Sequence, residues 1–315
     1  MNKDKPVLYF LCGLVASGKS TWAESHKEKL NAIIHSSDSI RTELLGDVND
    51  QTKNELVFEI LHNRVKEDLL NGKNVCVDQT GLKRKNRLHL INNILRDVPC
   101  EKVCVLFATP LDICKTNNAN RERKVPEEVI DRMLKSFECP FIGEGWDDIQ
   151  IVWWDYNKDG MEFDIFHDLM EWCKISQDSP HHTFSIGDHM FSAYCHYIYN
   201  NMDNVNDLLA DCILLHDCGK PYVKSYVDKD GNVGERARYY EHHNTGSYFS
   251  LFYLKETGRY TDEEILYGSL LIGLHMRHFM AWRDSEKSKE KDRRLFGYET
   301  IRHLEQINIC DLAAH

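Results

Sequence analysis

Residues 13–20, with the sequence GLVASGKS, constrain this chain more than any other part of it. They match the pattern G-x-x-x-x-G-K-[ST] and lie directly after an apolar run and before a helical stretch, which is the context that the pattern requires. The glycines let backbone N–H groups turn toward a phosphate, Lys19 supplies a charge for the β- and γ-phosphates, and Ser20 supplies a ligand for Mg²⁺. The sequence therefore predicts a site for ATP and Mg²⁺ that uses Gly13, Ser17, Gly18, Lys19, Ser20 and Thr21.

The first half of the chain alternates short apolar runs with longer stretches of helical periodicity. Apolar residues recur at three- and four-residue spacing in residues 53–70 and 84–95, which is typical of helices packed on one face. This alternation predicts an α/β domain with a parallel sheet and flanking helices. The predicted strands are residues 7–12, 32–35, 75–77, 103–108 and 149–154.

The second half lacks such runs and predicts an all-α domain. Its helical segments are residues 188–199, 205–215, 245–256 and 262–274. A turn signal at residues 157–160 places the boundary between domains of residues 1–160 and 161–315. We expect each fragment to fold separately and to keep one activity.

Composition excludes several classes of protein. No stretch approaches the roughly 18 to 20 apolar residues of a membrane span, so we expect no membrane partner. Eleven cysteines without a Cys-x-x-Cys pair fit neither a disulfide framework nor a zinc ribbon, which favours a reducing cytoplasm. The net charge of −11 makes the chain a poor non-specific binder of nucleic acid, so any polynucleotide must contact local basic clusters. The oligomeric state is left open.

The acceptor of a transferred phosphoryl group is expected at the carboxyl ends of the strands. Asp38 follows the second strand and can accept the proton of an attacking hydroxyl, unless it only caps a helix, and Arg41 can bind an anion. The basic run at residues 83–87 is either a substrate contact or a solvated helix face. Arg121 and Arg123 precede a proline-started helix and can form a lid over the phosphates.

These pieces resemble the kinase domain of the polynucleotide kinases over roughly residues 6–155. The resemblance depends on the phosphate loop, the segment Ser37-Asp38-Ser39-Ile40-Arg41, the strand end Asp78-x-Thr80 and the Arg-x-Arg lid. It implies that Lys19 and Ser20 bind ATP·Mg²⁺ and that Asp38 is the general base for a 5′-hydroxyl. It further implies that Arg41 binds the neighbouring phosphate and that Arg121 and Arg123 clamp the phosphates of ATP.

The second half carries a different set of reactive side chains. His216 and Asp217 are adjacent at the end of an apolar helix, where an unpaired carboxylate would be costly and a metal would supply a partner. Mixed imidazole and carboxylate ligands suit Mg²⁺ or a divalent transition metal. Further candidates are His189, His242 or His243, His275 and Asp311, although each of these histidines alone is more simply explained as a core residue.

The order and spacing of these residues resemble the HD-domain metal phosphohydrolases over residues 180–315. The opening residues 180–183 and the run at 216–221 look most like the HD domain of bacterial CCA-adding enzymes, whose relatives hydrolyse 2′,3′-cyclic and 2′-phosphates. His242 is preferred to His243 because it lies four residues before Gly246. The resemblance implies a cage for Mn²⁺, Ni²⁺, Co²⁺, Fe²⁺ or Zn²⁺, with Lys220 binding phosphate beside the catalytic Asp217. The implied core ligands are His189, His216, Asp217 and Asp311, with His242 and His275 completing a second metal site or contacting phosphate.

Both halves thus point to polynucleotide ends. The leading hypothesis is a bifunctional end-healing enzyme that phosphorylates a 5′-hydroxyl and removes a 2′,3′-cyclic or terminal phosphate, with RNA favoured over DNA and a separate ligase as a candidate partner. One alternative is a small-molecule kinase fused to a nucleotidase. Another is a kinase regulated by a nucleotide-sensing HD module.

Overall fold

The computed structural model describes residues 5–155, 163–178 and 183–314. The chain divides into two compact units, one made of residues 1–130 and 140–154, the other of residues 131–139 and 155–315. The predicted boundary at residue 160, its turn at residues 157–160, and residues 180–182 all lie outside the described part of the chain. The domain limits of 1–160 and 161–315 remain a proposal.

The first unit is built on a five-stranded parallel sheet in the order β2-β3-β1-β4-β5. This agrees with the α/β fold that the sequence predicts. All six residues of β1 are buried, as expected for a central strand with both faces covered. The strands are β1 (Val7–Cys12), β2 (Ala32–Ser36), β3 (Asn74–Asp78), β4 (Glu101–Ala108) and β5 (Asp148–Trp153).

Helices follow the strands and place polar residues at one edge of this sheet. The phosphate loop connects β1 to α1, and α2 begins directly after β2, so both start at the carboxyl ends of the two strands that flank β3. The helix predicted over residues 84–95 is α4 followed by a π-helical turn at Leu90–Ile94. The helices are α1 (Lys19–Leu30), α2 (Ser37–Leu45), α3 (Asn54–Leu70), α4 (Arg84–His89), α5 (Leu111–Asn120) and α6 (Glu127–Leu134).

The second unit is mainly helical, in agreement with the sequence. Among its described residues, no helix is long and apolar enough to cross a membrane, and the same holds in the first unit. A π-helical turn at His278–Trp282 follows α12. The helices are α7 (Ile165–Trp172), α8 (Ile186–Asn200), α9 (Asp207–Leu215), α10 (Lys220–Val223), α11 (His242–Glu256), α12 (Asp262–Leu274), α13 (Glu286–Phe296) and α14 (Tyr298–Ala313).

A β-hairpin in this unit corrects the prediction that it is all-α. Strands β6 (Ser225–Val227) and β7 (Val233–Arg238) pair in antiparallel fashion. The turn between them is held by Asp228, whose Oδ1 accepts hydrogen bonds from the backbone N–H groups of Asp230 and Asn232 at 2.9 and 2.8 Å. Gly231 supplies the positive φ of 89° that such a turn needs. The Asp-Gly signal was present in the sequence, but the strands are too short to give a clear period of two.

Residues 131–139 contribute to the core of the second unit, although they precede β5 in the sequence. Phe137 is fully buried and packs edge-on against Tyr248, with ring centroids 5.0 Å apart. The Cys139 thiol donates to the carbonyl of Leu266, and the amide of Asn244 donates to the carbonyl of Lys135 at 2.8 Å. A fragment that begins at residue 161 therefore lacks part of this core, which argues against the expectation that it folds on its own.

We expect Phe137→Ala to destabilise the second unit by about 3–5 kcal/mol, because truncating a fully buried aromatic ring removes its contacts and leaves a cavity. Denaturant unfolding of the full chain, followed by tryptophan fluorescence, measures the change. Phe166→Ala is the matched control, since Phe166 is 73% exposed and its loss should alter stability by less than about 0.5 kcal/mol. Equal effects of the two substitutions would contradict the assignment of residues 131–139 to this core.

Candidate active sites

The phosphate loop is closed around the side chain of Lys19. This side chain is buried, and its ammonium donates to the carbonyls of Gly13 and Leu14 at 3.0 and 2.5 Å and to the Ser17 hydroxyl at 3.3 Å. Burial lowers the pKa of Lys19, and the nearby Asp78 carboxylate opposes that shift. Dipoles of the loop thus hold the charge of Lys19 at the N-terminus of α1, where a phosphate would meet it.

Two glycines let the loop take this shape. A Cβ at Gly13 would lie 2.9 Å from the Cβ of Phe107, so only glycine fits between the loop and β4. Gly18 has φ of 95°, which L side chains rarely adopt, and it directly precedes Lys19 at the start of α1. The next two residues, Ser20 and Thr21, are exposed at the helix N-terminus.

Asp78 joins the site at the end of β3, a role that the sequence analysis did not assign to it. Its Oδ2 accepts a hydrogen bond of 2.6 Å from the Ser20 hydroxyl. A serine hydroxyl beside a strand-end carboxylate is the arrangement that holds Mg²⁺ in phosphate-loop enzymes. The available signal was the position of Asp78, which is directly after a buried strand and in register with Ser36 on β2.

Asp38 lies between two arginines on the acceptor side of this edge. Ser36 is the N-cap of α2, so Asp38 is not used as the cap and its carboxylate is available for other contacts. Oδ1 of Asp38 accepts from Arg41 at 2.9 Å, and Oδ2 accepts from Arg123. Arg41 is buried and also donates to Asn54 at 2.8 Å, so its guanidinium is fixed in direction.

The lid residues Arg121 and Arg123 follow α5 and are held by a side chain within that helix. Buried Asn118 donates to the carbonyl of Val125 at 2.7 Å and accepts from its N–H at 2.9 Å, which closes the segment into a loop. Nε and one terminal nitrogen of Arg121 are buried and have no hydrogen-bond partner among the residues that the structure describes. Burial lowers the pKa of Arg121, as does the charge of Arg123. An anion such as a nucleotide phosphate fits this set of unpaired donors.

The basic run at residues 83–87 divides into two parts. Lys83 and Lys85 are exposed, as a substrate contact or a solvated face requires. Arg87, in contrast, is fully buried and donates to both carboxylate oxygens of Glu144 at 2.7 and 2.6 Å. The expectation that Arg87 contacts substrate is therefore wrong, because a fully buried guanidinium paired with a carboxylate cannot reach one.

The second unit brings its six predicted metal ligands together in two groups. In the first group, Nε2 of His189 lies 3.2 Å from Nε2 of His216 and 3.0 Å from Oδ1 of Asp311. In the second group, Nε2 of His242 lies 3.2 Å from Nε2 of His275 and 3.2 Å from Oδ1 of Asp217. His243 belongs to neither group, and its Nε2 lies 3.6 Å from Glu241.

Asp217 connects the two groups through its two oxygens. Oδ1 faces His242 and His275, at 3.2 and 3.7 Å from their Nε2 atoms. Oδ2 faces His189 and His216, at 3.5 and 3.4 Å from their Nε2 atoms. One carboxylate placed in this way can bridge two metal ions.

The four imidazoles are oriented by backbone carbonyls. A carbonyl oxygen can only accept a hydrogen bond, so each Nδ1 carries a proton. In the neutral ring, Nε2 then presents a lone pair to the centre of its group. The distances from Nδ1 to the carbonyl oxygen are 2.7 Å for His189 to Ala314, 2.7 Å for His216 to Ile213, 2.8 Å for His242 to Tyr239 and 2.7 Å for His275 to Ile272.

Electrostatics within this cage are strongly perturbed by burial. Burial lowers the pKa of His216, but the charges of Asp217 and Asp311 outweigh it and raise that pKa to about 10. Burial also lowers the pKa of His275, and the neighbouring His242 adds to that effect. The Lys220 ammonium donates to Oδ2 of Asp217 at 2.5 Å and to the amide oxygen of Gln177 at 2.8 Å. In their neutral form, which metal binding requires, the four imidazoles and the two carboxylates form a donor set that suits a divalent transition metal.

Comparison with known proteins agrees with the fold of the first unit. Residues 8–140 match a family described as the AAA domain. L-seryl-tRNA(Sec) kinase from Methanococcus maripaludis is 30% identical over 146 residues, which is 45% of this chain, and the chain spans 56% of that relative's length. The first unit is therefore a kinase-like phosphate-loop domain, and such a domain implies ATP and Mg²⁺ as cofactors.

Two solved structures are also similar to part of the chain. One is the Pnkp1/Rnl/Hen1 RNA repair complex, at 20% identity and a TM-score of 0.37, with 42% of this chain and 44% of that chain covered. The other is a gluconokinase from Sinorhizobium meliloti 1021, at 17% identity and a TM-score of 0.34, with 48% of this chain and 82% of that chain covered.

We expect the chain to bind two Mn²⁺ ions, one at each group, and Asp217→Asn to lose both because Asp217 faces both groups. His242→Ala should lose one. Equilibrium dialysis followed by elemental analysis gives the number of ions per chain. His243→Ala is the matched control and should keep both, since His243 lies beside His242 but outside the groups. Retention of two ions by Asp217→Asn would contradict the bridging role.

Proposed function

We propose that this chain is a bifunctional enzyme of nucleic-acid ends, which phosphorylates a 5′-hydroxyl with ATP and hydrolyses a 2′,3′-cyclic or terminal phosphate with a divalent metal. The observation that supports the proposal is the presence, in one chain, of a carboxylate between two arginines in the unit that carries the phosphate loop and of a buried carboxylate whose two oxygens face four histidines. RNA is the favoured substrate, and a separate ligase would join the healed ends. Eleven free cysteines favour a reducing, cytoplasmic location.

In the kinase reaction, Asp38 accepts the proton of the acceptor hydroxyl as that oxygen attacks the γ-phosphorus, and the bond from the γ-phosphorus to the β–γ bridging oxygen breaks so that ADP leaves. Arg41 is held against Asn54 and directs its guanidinium toward the acceptor side, where it can bind the phosphate next to the hydroxyl. Lys19, Arg121 and Arg123 neutralise the charge that develops on the transferred phosphoryl group. Arg123 must leave Asp38 for this, since in the structure it donates to the same carboxylate that serves as the base.

In the hydrolytic reaction, the buried cage would hold the metal, and Asp311, whose side chain is 16% exposed, is its most accessible ligand. A bound divalent metal supplies Lewis-acid activation of a phosphate ester and of water. The two groups would each hold one metal ion through their Nε2 atoms, and Asp217 faces both. Lys220 lies against Asp217 and can neutralise charge on a phosphate that reaches the cage.

The similarity to L-seryl-tRNA(Sec) kinase favours a second candidate for the acceptor. That protein acts on L-seryl-tRNA(Sec), so the hydroxyl phosphorylated here would belong to a group attached to RNA. The acceptor hydroxyl lies on the RNA itself in the first candidate and on a group attached to RNA in the second, and both use Asp38 as the base.

One experiment separates these acceptors. The protein is incubated with γ-labelled ATP and, in parallel, 5′-hydroxyl RNA, 5′-hydroxyl DNA, seryl-tRNA and free nucleosides. Label on 5′-hydroxyl RNA supports the proposal, and label confined to seryl-tRNA supports the second candidate. Label on nucleosides alone would overturn both and favour a small-molecule kinase.

We expect Asp38→Asn and Lys19→Ala to abolish phosphoryl transfer for different reasons. Asp38→Asn removes the proton acceptor and should lower kcat by roughly 10²- to 10⁴-fold while ATP affinity stays within a few-fold of wild type. Lys19→Ala removes charge from the phosphate site and should weaken both ATP binding and turnover. Nucleotide affinity by calorimetry and turnover with labelled ATP measure the two effects. Near-normal turnover by Asp38→Asn would show that another group is the base.

We expect the two activities to be separable by point substitution. Asp217→Asn should remove hydrolysis of a 2′,3′-cyclic phosphate and keep the kinase within a few-fold of wild type, whereas Lys19→Ala should do the converse. Each variant is assayed on both substrates in the full chain. A metal-loaded protein that hydrolyses neither cyclic nor terminal phosphates would instead favour a nucleotide-sensing role for the second unit.

A further inference from the structure

We infer that Arg87 and Glu144 form a positioning pair, which fixes the loop after β3 and through it sets the affinity of the kinase site for Mg²⁺. This inference rests only on the phosphotransferase half of the proposed function. It requires neither a particular acceptor nor any activity of the second unit.

Every nitrogen of the Arg87 guanidinium is used. Nε and one terminal nitrogen donate to the two oxygens of Glu144, while the other terminal nitrogen donates to the carbonyls of Gly81 and Leu82, each at 2.9 Å. Arg87 and Glu144 are both completely buried as side chains. Glu144 also accepts a hydrogen bond of 3.0 Å from the indole of Trp146. The pair is thus a rigid, fully hydrogen-bonded unit.

The two carbonyls that Arg87 holds belong to the loop that carries the Mg²⁺ ligand. Asp78 lies three residues before Gly81, at the end of β3. Between them, the carbonyl of Thr80 accepts from the N–H of Gly13 at 2.9 Å, which joins this loop to the phosphate loop. A displacement of the loop at Gly81 is therefore transmitted both to Asp78 and to the residue that opens the phosphate loop.

The loop also contacts β1, where the Cys12 thiol donates to the carbonyl of Gly81 at 3.4 Å. Gly81 has φ of 60°, and a Cβ there would lie 2.5 Å from the ring of Phe10, so the backbone passes close to β1. Phe10 in turn packs against Trp146, with ring centroids 5.3 Å apart. An ion pair of this kind is a poor source of net stability, because burial of two charges costs about as much as their attraction supplies. We therefore assign the Arg87–Glu144 pair the role of directing the loop after β3.

The decisive variant is the double substitution Arg87→Met/Glu144→Leu, which replaces both completely buried charges with apolar side chains. Arg84, whose Nε lies 3.6 Å from Oε1 of Glu144 and whose side chain is 13% exposed, loses one ion-pair contact in this variant. We expect it to fold with a thermal midpoint close to wild type. We also expect the Mg²⁺ concentration for half-maximal binding of ADP to rise about 10- to 100-fold, the usual loss when a group that orients a ligand is removed. Calorimetry with MgADP measures this without any acceptor, so a failed acceptor assay would not affect the result.

Two further variants keep the test conclusive. Arg87→Lys keeps the charge but cannot contact both carbonyls and the carboxylate together, so it should show the same rise in required Mg²⁺. Arg96→Met is the matched control, because Arg96 is an exposed arginine of the same unit and should leave Mg²⁺ dependence unchanged. The inference is overturned if the double variant requires wild-type Mg²⁺. It is equally overturned if the double variant does not fold and Arg87→Lys folds with wild-type Mg²⁺ dependence.

Discussion

A charge cannot stay inside a protein unless other charges or dipoles surround it, and this constraint organises both units. In the first unit, buried Lys19 is held by carbonyls of the phosphate loop, and Arg87 is held by Glu144. In the second unit, Asp217 is buried among four imidazoles and the Lys220 ammonium. Each of these groups fixes the backbone around it, so the shape of each site follows from the partners that a buried charge requires.

The two sites solve this problem with different local structure. The kinase site collects residues from loops at the carboxyl ends of parallel strands, where backbone N–H groups and helix N-termini meet. The histidine and aspartate cage instead takes its side chains from helices, and His216 and His275 sit just beyond the C-termini of α9 and α12. There, the carbonyls of Ile213 and Ile272 accept both the backbone N–H and the Nδ1 proton of the histidine that follows the helix.

Much of this could be predicted from sequence, because strong periodicity and a specific loop pattern are local signals. The bounds of β1 and α12 match the predicted ones, and the six cage residues lie together. Features that depend on distant partners were not predictable. From sequence alone, Arg87 belongs to a basic run that predicts an exposed side chain. Its burial depends on Glu144, which lies 57 residues later in the chain and contacts it only in the fold. The contact between Asp78 and Ser20 forms only because β3 pairs with β1. Residues 131–139 have no sequence signal that assigns them to the second unit.

The discontinuity of the second unit has a consequence for the order in which the chain folds during synthesis. Phe137 leaves the ribosome 111 residues before its ring partner Tyr248. At roughly 5–20 residues per second, that interval lasts about 5–20 s. During this time the apolar side chains of residues 131–139, including Phe137, lack the part of the second unit that buries them. A nascent chain in that state is a natural client for chaperones that bind exposed aromatic segments, and slow translation of residues 155–248 would prolong its exposure.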